Sequence, residues 1–473
     1  MNKSLLKTSI LSISLLTVMA SAAISPALAK IFQAFPGVDP TLVKLVLTLP
    51  SLLIIPFSLL CGWLVKKVKK KYILLAGLVI YFLGGVGGGF ARNITELLII
   101  RAIFGMGVGL IIPLSTSLIA DFFEGIERTK MMGYSGSVSH FGGVIFLLVS
   151  GWLACISWRF AFGVYGLTLL IFLMVLFWLQ EPETKRTTGL VKLKLPLGVY
   201  VCAVLGLLMM IAFYAAPTNL AMFIENQRKM YTSSTPLFAN KEELQLNLAQ
   251  GTISEVTRQS FKNNGILLSD KAALTAIEPG KSWGITDRGK KYIVKKEADN
   301  LVIYSERLGR PGIAGYLLST MTLVGVFSGI ILAMLLRIFG RYCATISIAS
   351  MALGYGVLTR TNSLLGVLIA MLCIGFSSGI LMPLLLVQVA KITPDMSRAF
   401  GMAVVSVGVY LGQFLSPVVL KFAYSVGGKG DVFRQQFNFL TIGLAIAALV
   451  AFIIAFKNRK KVDAAGATIP LHH

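Results

Sequence analysis

Twelve apolar segments, each long enough to cross a lipid bilayer as a helix, run along this sequence in two groups of six. A chain inside hydrocarbon must satisfy its backbone polar groups internally, and segments of about 20 residues do so as helices. Only 14% of the 473 residues are charged, a smaller share than soluble domains carry. The sequence therefore predicts an all-α membrane protein of twelve transmembrane helices in two six-helix halves. The segments lie at approximately 4–29, 43–65, 72–91, 95–120, 130–154, 160–180, 194–224, 312–336, 342–360, 363–390, 399–422 and 434–456.

Basic residues lie in short clusters between these segments, and the formal net charge is +24. The clusters at 66–71, 185–194 and 457–461 follow the second, sixth and twelfth segments. Because positive residues are retained on the cytoplasmic side of a membrane, both termini are expected in the cytoplasm and the protein in the cell membrane. The charge is interpreted as a topology signal in a lipid bilayer, and no nucleic-acid partner is expected.

Residues 1–30 resemble a secretory signal, with Lys3 and Lys7 before an apolar run and an Ala-Leu-Ala sequence before Lys30. The run reaches the length of a full membrane span, and residues 24–32 have a counterpart later in the chain. We therefore expect a retained first helix.

The stretch between the two groups of segments, residues 226–308, is polar and mixed in charge. The N terminus is expected in the cytoplasm, and seven membrane segments precede this stretch. It is therefore expected to be a soluble insert on the extracytoplasmic side. Short alternating runs in its second half predict an antiparallel meander, and its first half is expected to be helical. The predicted divisions are a six-helix half at 1–190, the first helix of the second half at 191–225, an α+β insert at 226–308, and five helices with a cytoplasmic tail at 309–473.

An internal repeat relates the two groups of segments. Residues of the fourth segment recur in the tenth at one offset of 270, and Pro26 of the first recurs as Pro217 of the seventh at an offset of 191. The difference between the offsets, 79 residues, gives the size of the insert independently of hydropathy. The residues paired at the offset of 270 are Gly105 with Gly375, Gly109 with Gly379, Pro113 with Pro383, and Ala120 with Ala390.

Motifs in the first half carry a family resemblance. The fourth segment has an arginine followed by two glycines, Arg101, Gly105 and Gly107; Trp158 and Arg159 introduce the sixth; and the first contains Ile-Ser-Pro-Ala-Leu at 24–28. These motifs are similar to those of the major facilitator superfamily, in its drug-exporter-like, drug:proton antiporter members.

The resemblance covers roughly 5–225 and 308–456 and leaves out the insert. It implies a small-molecule substrate bound near the membrane midplane, between halves that open alternately to the two sides.

Two family motifs are incomplete in this chain. The loop after the second segment has Gly62, but Lys66 and Lys69 stand where the family has an aspartate and a second glycine. The resemblance assigns that aspartate to a cytoplasmic gate, and Asp121 with Arg128 is the candidate substitute.

In the fifth segment Gly133, Gly142 and Gly151 keep the antiporter spacing, whereas a Phe-Leu pair at 146–147 replaces glycine-proline. Transport is thus better supported than export.

Arg101 is the first candidate for the substrate or coupling pathway, because an arginine inside a membrane helix is costly and usually faces an aqueous cavity. Its repeat counterpart is Met371, so the charge is not needed for packing the repeat. The alternative is an arginine whose side chain extends to the membrane surface. His140 is a candidate proton carrier or a permanently neutral, hydrogen-bonded histidine, and the coupling ion stays open, with protons as one candidate.

The remaining candidates fall into two groups. Further pathway candidates are Pro26, Pro217, Asn219, Tyr214, Tyr410 and Gln413. Candidates for helix packing and gating are Gly105, Gly109, Pro113, Gly375, Gly379, Pro383, Asp121 and Arg128.

Three functions compete on this sequence. The leading hypothesis is gradient-driven export of small amphipathic organic compounds. The second is uptake of a metabolite or lipid-like molecule, and the third is a receptor or scaffold whose insert binds an unknown extracytoplasmic partner. Residues 280–282, Gly-Lys-Ser, lack the first glycine of a phosphate-binding loop, and no catalytic constellation or metal-ligand spacing appears. Neither an enzyme activity nor a cofactor is expected.

Overall fold

The chain forms two compact units, one made of Met1–Met222 with Pro311–His473 and the other of Phe223–Arg310. A computed structural model describes residues 3–181, 195–226, 230–232, 253, 255–263, 268, 272–278, 282–287, 290–297, 300–305, 311–361, 363–394, 398–427 and 431–464. The basic cluster at 185–194, most of the expected helical part of the insert and the glycine-lysine pair at 280–281 lie outside these residues.

The first half of the membrane unit consists of α1 to α8. A 3₁₀ turn at Ser25–Ala27, which contains Pro26, separates α1 from α2, and a second at Phe162–Gly166 joins α7 to α8. The helices are α1 Lys3–Ala22, α2 Leu28–Ala34, α3 Pro40–Leu64, α4 Lys70–Gly87, α5 Ile94–Phe122, α6 Gly125–Ile156, α7 Trp158–Ala161 and α8 Leu167–Trp178.

The second half begins with α9 and resumes after the insert with α11. Within the described residues, eleven helical segments are long and apolar enough to cross a membrane, and a shorter apolar helix lies at Leu5–Thr17 in α1. This agrees with the expected two halves of six. The helices are α9 Leu197–Asn226, α11 Pro311–Ile330, α12 Leu332–Phe339, α13 Cys343–Arg360, α14 Leu364–Ile392, α15 Arg398–Gly427 and α16 Val432–Ala464.

The second unit contains a helix, α10 at Glu255–Asn263, and a five-stranded antiparallel sheet in the order β1-β5-β4-β3-β2. Residues from β2, β3 and α10, namely Leu274, Ile285 and Phe261, are buried. The short alternating runs in the sequence, at 283–285, 292–294 and 301–304, lie in β3, β4 and β5. The strands are β1 Met230–Thr232, β2 Ala273–Glu278, β3 Ser282–Asp287, β4 Lys290–Glu297 and β5 Asn300–Ser305.

The internal repeat appears as matched helix boundaries. Helices α5 and α14 begin and end at positions 270 residues apart. Each has a polar N-cap at the equivalent position: Asn93 accepts a hydrogen bond from the backbone N of Glu96 at 2.8 Å, and Ser363 accepts one from the backbone N of Gly366 at 3.1 Å. These caps satisfy amides that the first helical turn leaves unpaired.

The repeated glycines lie where α5 and α14 cross their neighbours. A Cβ added at Gly105 would lie 2.5 Å from the carbonyl oxygen of Pro50 in α3, and one at Gly109 would lie 2.7 Å from Cβ of Phe57. In the second half a Cβ at Gly379 would collide with the carbonyl oxygen of Gly325 in α11. Both halves are thus assembled around backbone approaches that a side chain would prevent.

We predict that Gly379→Ala lowers the thermal unfolding midpoint of the detergent-purified protein, because α11 must move to admit the methyl group, at a cost of about 1–3 kcal/mol. Gly443→Ala is the matched control, since a Cβ there meets no atom within 4 Å and alanine favours a helix. Equal midpoints for the two variants would contradict the close approach.

Candidate functional site

The two halves meet through side-chain contacts on one side of the membrane unit. We call the side on which α1 begins and α3 ends the basic side, and the other the opposite side. Near the opposite side Lys421 of α15 donates a hydrogen bond to Asp39, which precedes α3, and Ser25 Oγ donates to the carbonyl oxygen of Pro217. Further inter-half hydrogen bonds run from Lys44 Nζ to Gln436 Oε1 at 3.3 Å, from Ser51 Oγ to Gln413 Oε1 at 2.8 Å, and from Ser319 Oγ to Val144 O at 3.0 Å.

Toward the basic side, one stripe of α6 loses its contact with α11. Near the opposite side Leu147 and Gly151 pack on α11, where a Cβ at Gly315 would lie 2.6 Å from the carbonyl oxygen of Leu147. Along the same stripe His140 is exposed, and a Cβ at Gly133 or Gly136 meets no atom within 4 Å. From this uncovered stripe we infer a gap between α6 and α11 that opens to the basic side, with His140 on its wall.

Lys44 is a charged residue of this interface that the sequence analysis missed. Its side chain is buried, its ammonium group lies 5.3 Å from the ring centre of Phe433, and its hydrogen-bond acceptor is an amide oxygen of Gln436. Burying an ammonium group without a carboxylate to bind it is costly. While the halves are in contact here, the ammonium group of Lys44 is buried, although water would solvate it better. Its burial therefore favours separation of the halves. A lysine inside an apolar segment was the signal in the sequence.

Asp39 and Lys421 form the most peripheral of these contacts. The hydrogen bond from Lys421 is the main reason that the pKa of Asp39 falls from 3.8 to about 2. Because the pKa of this carboxyl is lowered, the ion pair contributes its full stabilisation at pH values above the ordinary carboxyl pKa. That stabilisation is lost only as the pH falls through about 2. The pair is therefore ionised throughout the physiological range and does not act as a pH switch.

Arg101 is fully buried inside the first half. Its Nε donates a hydrogen bond of 2.9 Å to the carbonyl oxygen of Val46 in α3, and its guanidinium carbon lies 4.2 Å from the ring centre of Phe104. Neither Nη1 nor Nη2 has a hydrogen-bond partner among the described residues. Arg101 therefore does not extend to the membrane surface, and its guanidinium retains hydrogen-bonding capacity in the protein interior.

Aromatic residues from three helical segments enclose Arg101. Ring centres lie 4.5 Å apart for Tyr81 and Phe104 and 4.8 Å apart for Phe104 and Tyr165. Two glycines of α4 make this possible, because a Cβ at Gly84 would lie 2.5 Å from the backbone N of Phe104 and one at Gly85 would lie 2.7 Å from Tyr165 Cβ. The sequence analysis missed the three aromatic residues; the glycine-rich end of the third segment was the available signal.

The other predicted pathway residues lie in two environments. Pro217 and Gln413 lie at the boundary between the halves through the contacts above, and Pro26 is buried in the 3₁₀ turn beside Ser25. In α9, Asn219 is buried, and its Nδ2 donates to the carbonyl oxygen of Ala215 at 2.8 Å; Tyr214 belongs to an apolar cluster of the second half.

Three other predicted residues lie within membrane helices. Tyr410 is half-buried in α15, and Pro113 and Pro383 lie inside α5 and α14.

At the basic side Asp121 has a partner other than the expected Arg128. Lys70 Nζ donates to Asp121 Oδ2 at 2.6 Å and to Ser117 Oγ at 2.6 Å. Arg128 is exposed in α6, beyond the turn at Gly125, whose φ is +56°. Lys70 takes this place because α4 begins beside the end of α5, whereas the turn carries Arg128 away. The carboxylate of Glu181 accepts hydrogen bonds from the first backbone amides of α4, so these ends are held together within the first half.

Comparison with known proteins agrees with this architecture. Residues 10–254 and 300–470 match the family model described as Major Facilitator Superfamily. The chain belongs to the Major Facilitator Superfamily. The solved structure of a mutant of the nucleoside transporter NupG superposes with a TM-score of 0.67 over 96% of this chain and 99% of that one, at 11% identity. That likeness establishes the fold alone.

Sequence relatives match shorter parts of the chain. The quinolone resistance protein NorA of Staphylococcus aureus (strain N315) is 30% identical over 159 residues, 33% of this chain and 40% of NorA. The multidrug transporter protein MdtP of Bacillus subtilis (strain 168) is 30% identical over 115 residues, 24% of this chain and 21% of MdtP. The matches thus span less than half the length of these relatives.

We predict that Asp39→Asn loosens the contact near the opposite side. In a variant without native cysteines, a cysteine at position 51 should react with an impermeant maleimide from the opposite side up to about fivefold faster, the range for a partly exposed ion pair. Because the pKa of Asp39 is low, the ratio of rates with and without the substitution should be the same at about pH 6 and about pH 8.

Asp431→Asn is the control for this prediction, because Asp431 pairs with Arg434 within the second half at 3.6 Å. If Asp431→Asn accelerates the maleimide reaction, or if Asp39→Asn does not, the Asp39–Lys421 pair does not hold the halves together.

Proposed function

We propose that this protein is a secondary active transporter that exports small amphipathic organic compounds by alternating access. The observation that carries the proposal is the asymmetric contact between the halves: they are joined from the midplane to the opposite side, whereas the stripe of α6 that carries His140 is uncovered on the basic side. A superfamily fold in this arrangement has its midplane accessible from one side only. That is the geometry in which a substrate enters from one side and, after the halves rock, leaves on the other.

The basic side is assigned to the cytoplasm by the positive-inside rule, with Lys66–Lys71 as the supporting cluster. Both termini are then cytoplasmic, and the structure corresponds to an inward-open state. Such a state would load substrate from the cytoplasm or the inner leaflet, as an exporter must. The family membership and the relatives NorA and MdtP, which are named for drug resistance and multidrug transport, support the same direction.

The inter-half contacts suit a mechanism in which the halves separate repeatedly. Single hydrogen bonds of ordinary strength, such as Ser51 to Gln413, each contribute about 0.5–1.5 kcal/mol. The burial of Lys44 opposes closure. Strong ion pairs such as Lys70 with Asp121 lie instead within one half, where they survive rocking. The halves can therefore move as rigid bodies at modest free-energy cost.

Arg101 and His140 are proposed as the polar centres of the pathway. Two nitrogen atoms of Arg101 have capacity to bind water or a polar substrate group, and His140 lies on the open gap where an imidazole can exchange a proton with water. No carboxylate lies in the middle of a membrane helix among the described residues, and we propose His140, on the uncovered stripe of α6, as the titratable group for proton coupling.

We predict that inverted membrane vesicles containing the protein accumulate a fluorescent lipophilic cation when a proton gradient is imposed. Arg101→Ala should reduce the initial rate at least about tenfold, because removing a buried guanidinium disrupts hydrogen bonding and the aromatic contacts around it. Met371→Ala, at the equivalent position of the repeat, is the matched control and should retain most of the rate.

The outcome separates the competing directions. If the parent protein and Met371→Ala accumulate the dye and Arg101→Ala does not, the result supports export with Arg101 in the pathway. No accumulation by any folded variant, together with rapid counterflow of a metabolite in preloaded vesicles, would replace export by uptake.

A further inference from the structure

We propose that a groove between α13 and α16 binds an anionic phospholipid of the leaflet on the opposite side. The groove has a volume of about 740 Å³ and an almost wholly apolar lining. Small side chains line much of it, so that a slender hydrocarbon chain fits between the helices. Its lining includes Ala349, Gly356, Val357, Arg360, Thr441 and Ala445.

The length of the groove matches one leaflet. Its lining on α13 runs from Arg360, the last residue of the helix, to Ala349. At 1.5 Å per residue these eleven steps cover about 16 Å, and half of a hydrocarbon core of about 30 Å is about 15 Å. An acyl chain entering beside Arg360 would therefore end near the bilayer midplane.

The groove lies on the outer surface of the second half. Its helices belong to the two membrane spans with the smallest buried share, Leu332–Arg360 and Val432–Lys457, each 17% buried. Large apolar residues of α16 such as Ile442, Ile446 and Leu449 are exposed. In a bilayer these positions face hydrocarbon, so the molecules available to fill the groove are lipids. Both helices belong to one half, and the site therefore persists when the halves rock.

We call the end of the groove beside Arg360 its mouth. The positive charge there determines which lipid head group binds. Arg360 is exposed, and no hydrogen bond or ion pair of its side chain is seen among the described residues. Arg434 of α16 fixes the mouth, since its Nη1 and Nη2 donate to the carbonyl oxygens of Thr359 and Thr361 at 3.1 and 3.2 Å. A guanidinium held at the interface beside an apolar groove complements a phosphate with a hydrocarbon tail. Because Asp431 pairs with Arg434, Arg360 supplies the net positive charge at this end of the groove, which favours an anionic lipid over a zwitterionic one.

The absence of a side chain at Gly356 leaves this part of the groove open. A Cβ at Gly356 would lie 3.4 Å from Cγ2 of Thr441, an ordinary van der Waals distance, whereas glycines at the α5 and α14 crossings leave no space. A larger side chain at Gly356 would occupy the groove itself. This gives the proposal a test independent of head-group charge.

The experiment is native mass spectrometry of the purified full chain after incubation with equimolar phosphatidylglycerol and phosphatidylcholine. The intact protein should retain phosphatidylglycerol preferentially. Arg360→Gln should weaken its binding about tenfold and abolish the preference, because it removes a charge-assisted hydrogen bond. Gly356→Leu should reduce retention of both lipids.

One control is Arg341→Gln, at a basic residue just before the other end of α13, and a second is Gly443→Leu on the exposed surface of α16. Both variants should bind lipid as the parent does. Equal phosphatidylglycerol retention by parent, Arg360→Gln and Gly356→Leu would overturn the proposal. So would a dimer of the parent that Gly356→Leu dissociates, since a second copy would then occupy the groove. Arg360 is exposed, so its variant remains informative even if Gly356→Leu fails to fold.

Discussion

Close backbone approach between helices is the constraint on which the rest of this structure depends. Inside a bilayer the apolar surfaces of helices gain little by avoiding lipid, so association relies on tight packing and on polar contacts. Gly105 and Gly109 allow α5 to lie against α3, and Gly375 and Gly379 allow α14 to lie against α11. These approaches hold the helices of each half together. Between the halves, one such approach joins Leu147 and Gly151 of α6 to Gly315 of α11, and the other contacts described above are side-chain hydrogen bonds.

That division of strength produces the functional asymmetry. Within the first half, Lys70, Asp121 and Glu181 bind the ends of α4, α5 and the segment after α8 at the basic side. Between the halves, α6 and α11 approach closely at Gly315, and the other contacts are an exposed ion pair at Asp39, single hydrogen bonds such as Ser51 to Gln413, and a buried lysine whose desolvation opposes closure. A structure that is strong within each half and weak between them can rock without unfolding. The open gap beside His140 and the enclosed guanidinium of Arg101 lie on a scaffold arranged in this way.

Local patterns and the repeat predicted much of this fold, because span length and glycine spacing are local properties of a sequence. The boundaries of α5 and α14 follow from the offset of 270 residues. The environment of Arg101 could not be predicted in the same way, since Tyr81 and Tyr165 come from other segments that become neighbours only after folding. Lys44 was missed for the same reason, since its contact with Gln436 of the other half forms only in the folded protein. The contact of Asp121 with Lys70 was not predicted, because Lys70 and Arg128 are both near Asp121 in the topology and the turn at Gly125 decides between them in this structure.

The central claim, that two rigid halves rock about weak contacts, is tested most directly by double electron–electron resonance in a variant without native cysteines. One spin-label pair, at positions 62 and 406, lies toward the basic side of α3 and α15, and a second, at 42 and 425, lies toward the opposite side. The account predicts a long first distance and a short second distance at rest. When a gradient and a transported compound are supplied, a second population should appear in which the first distance shortens and the second lengthens. Distances that stay fixed, or that change in the same sense, would contradict it.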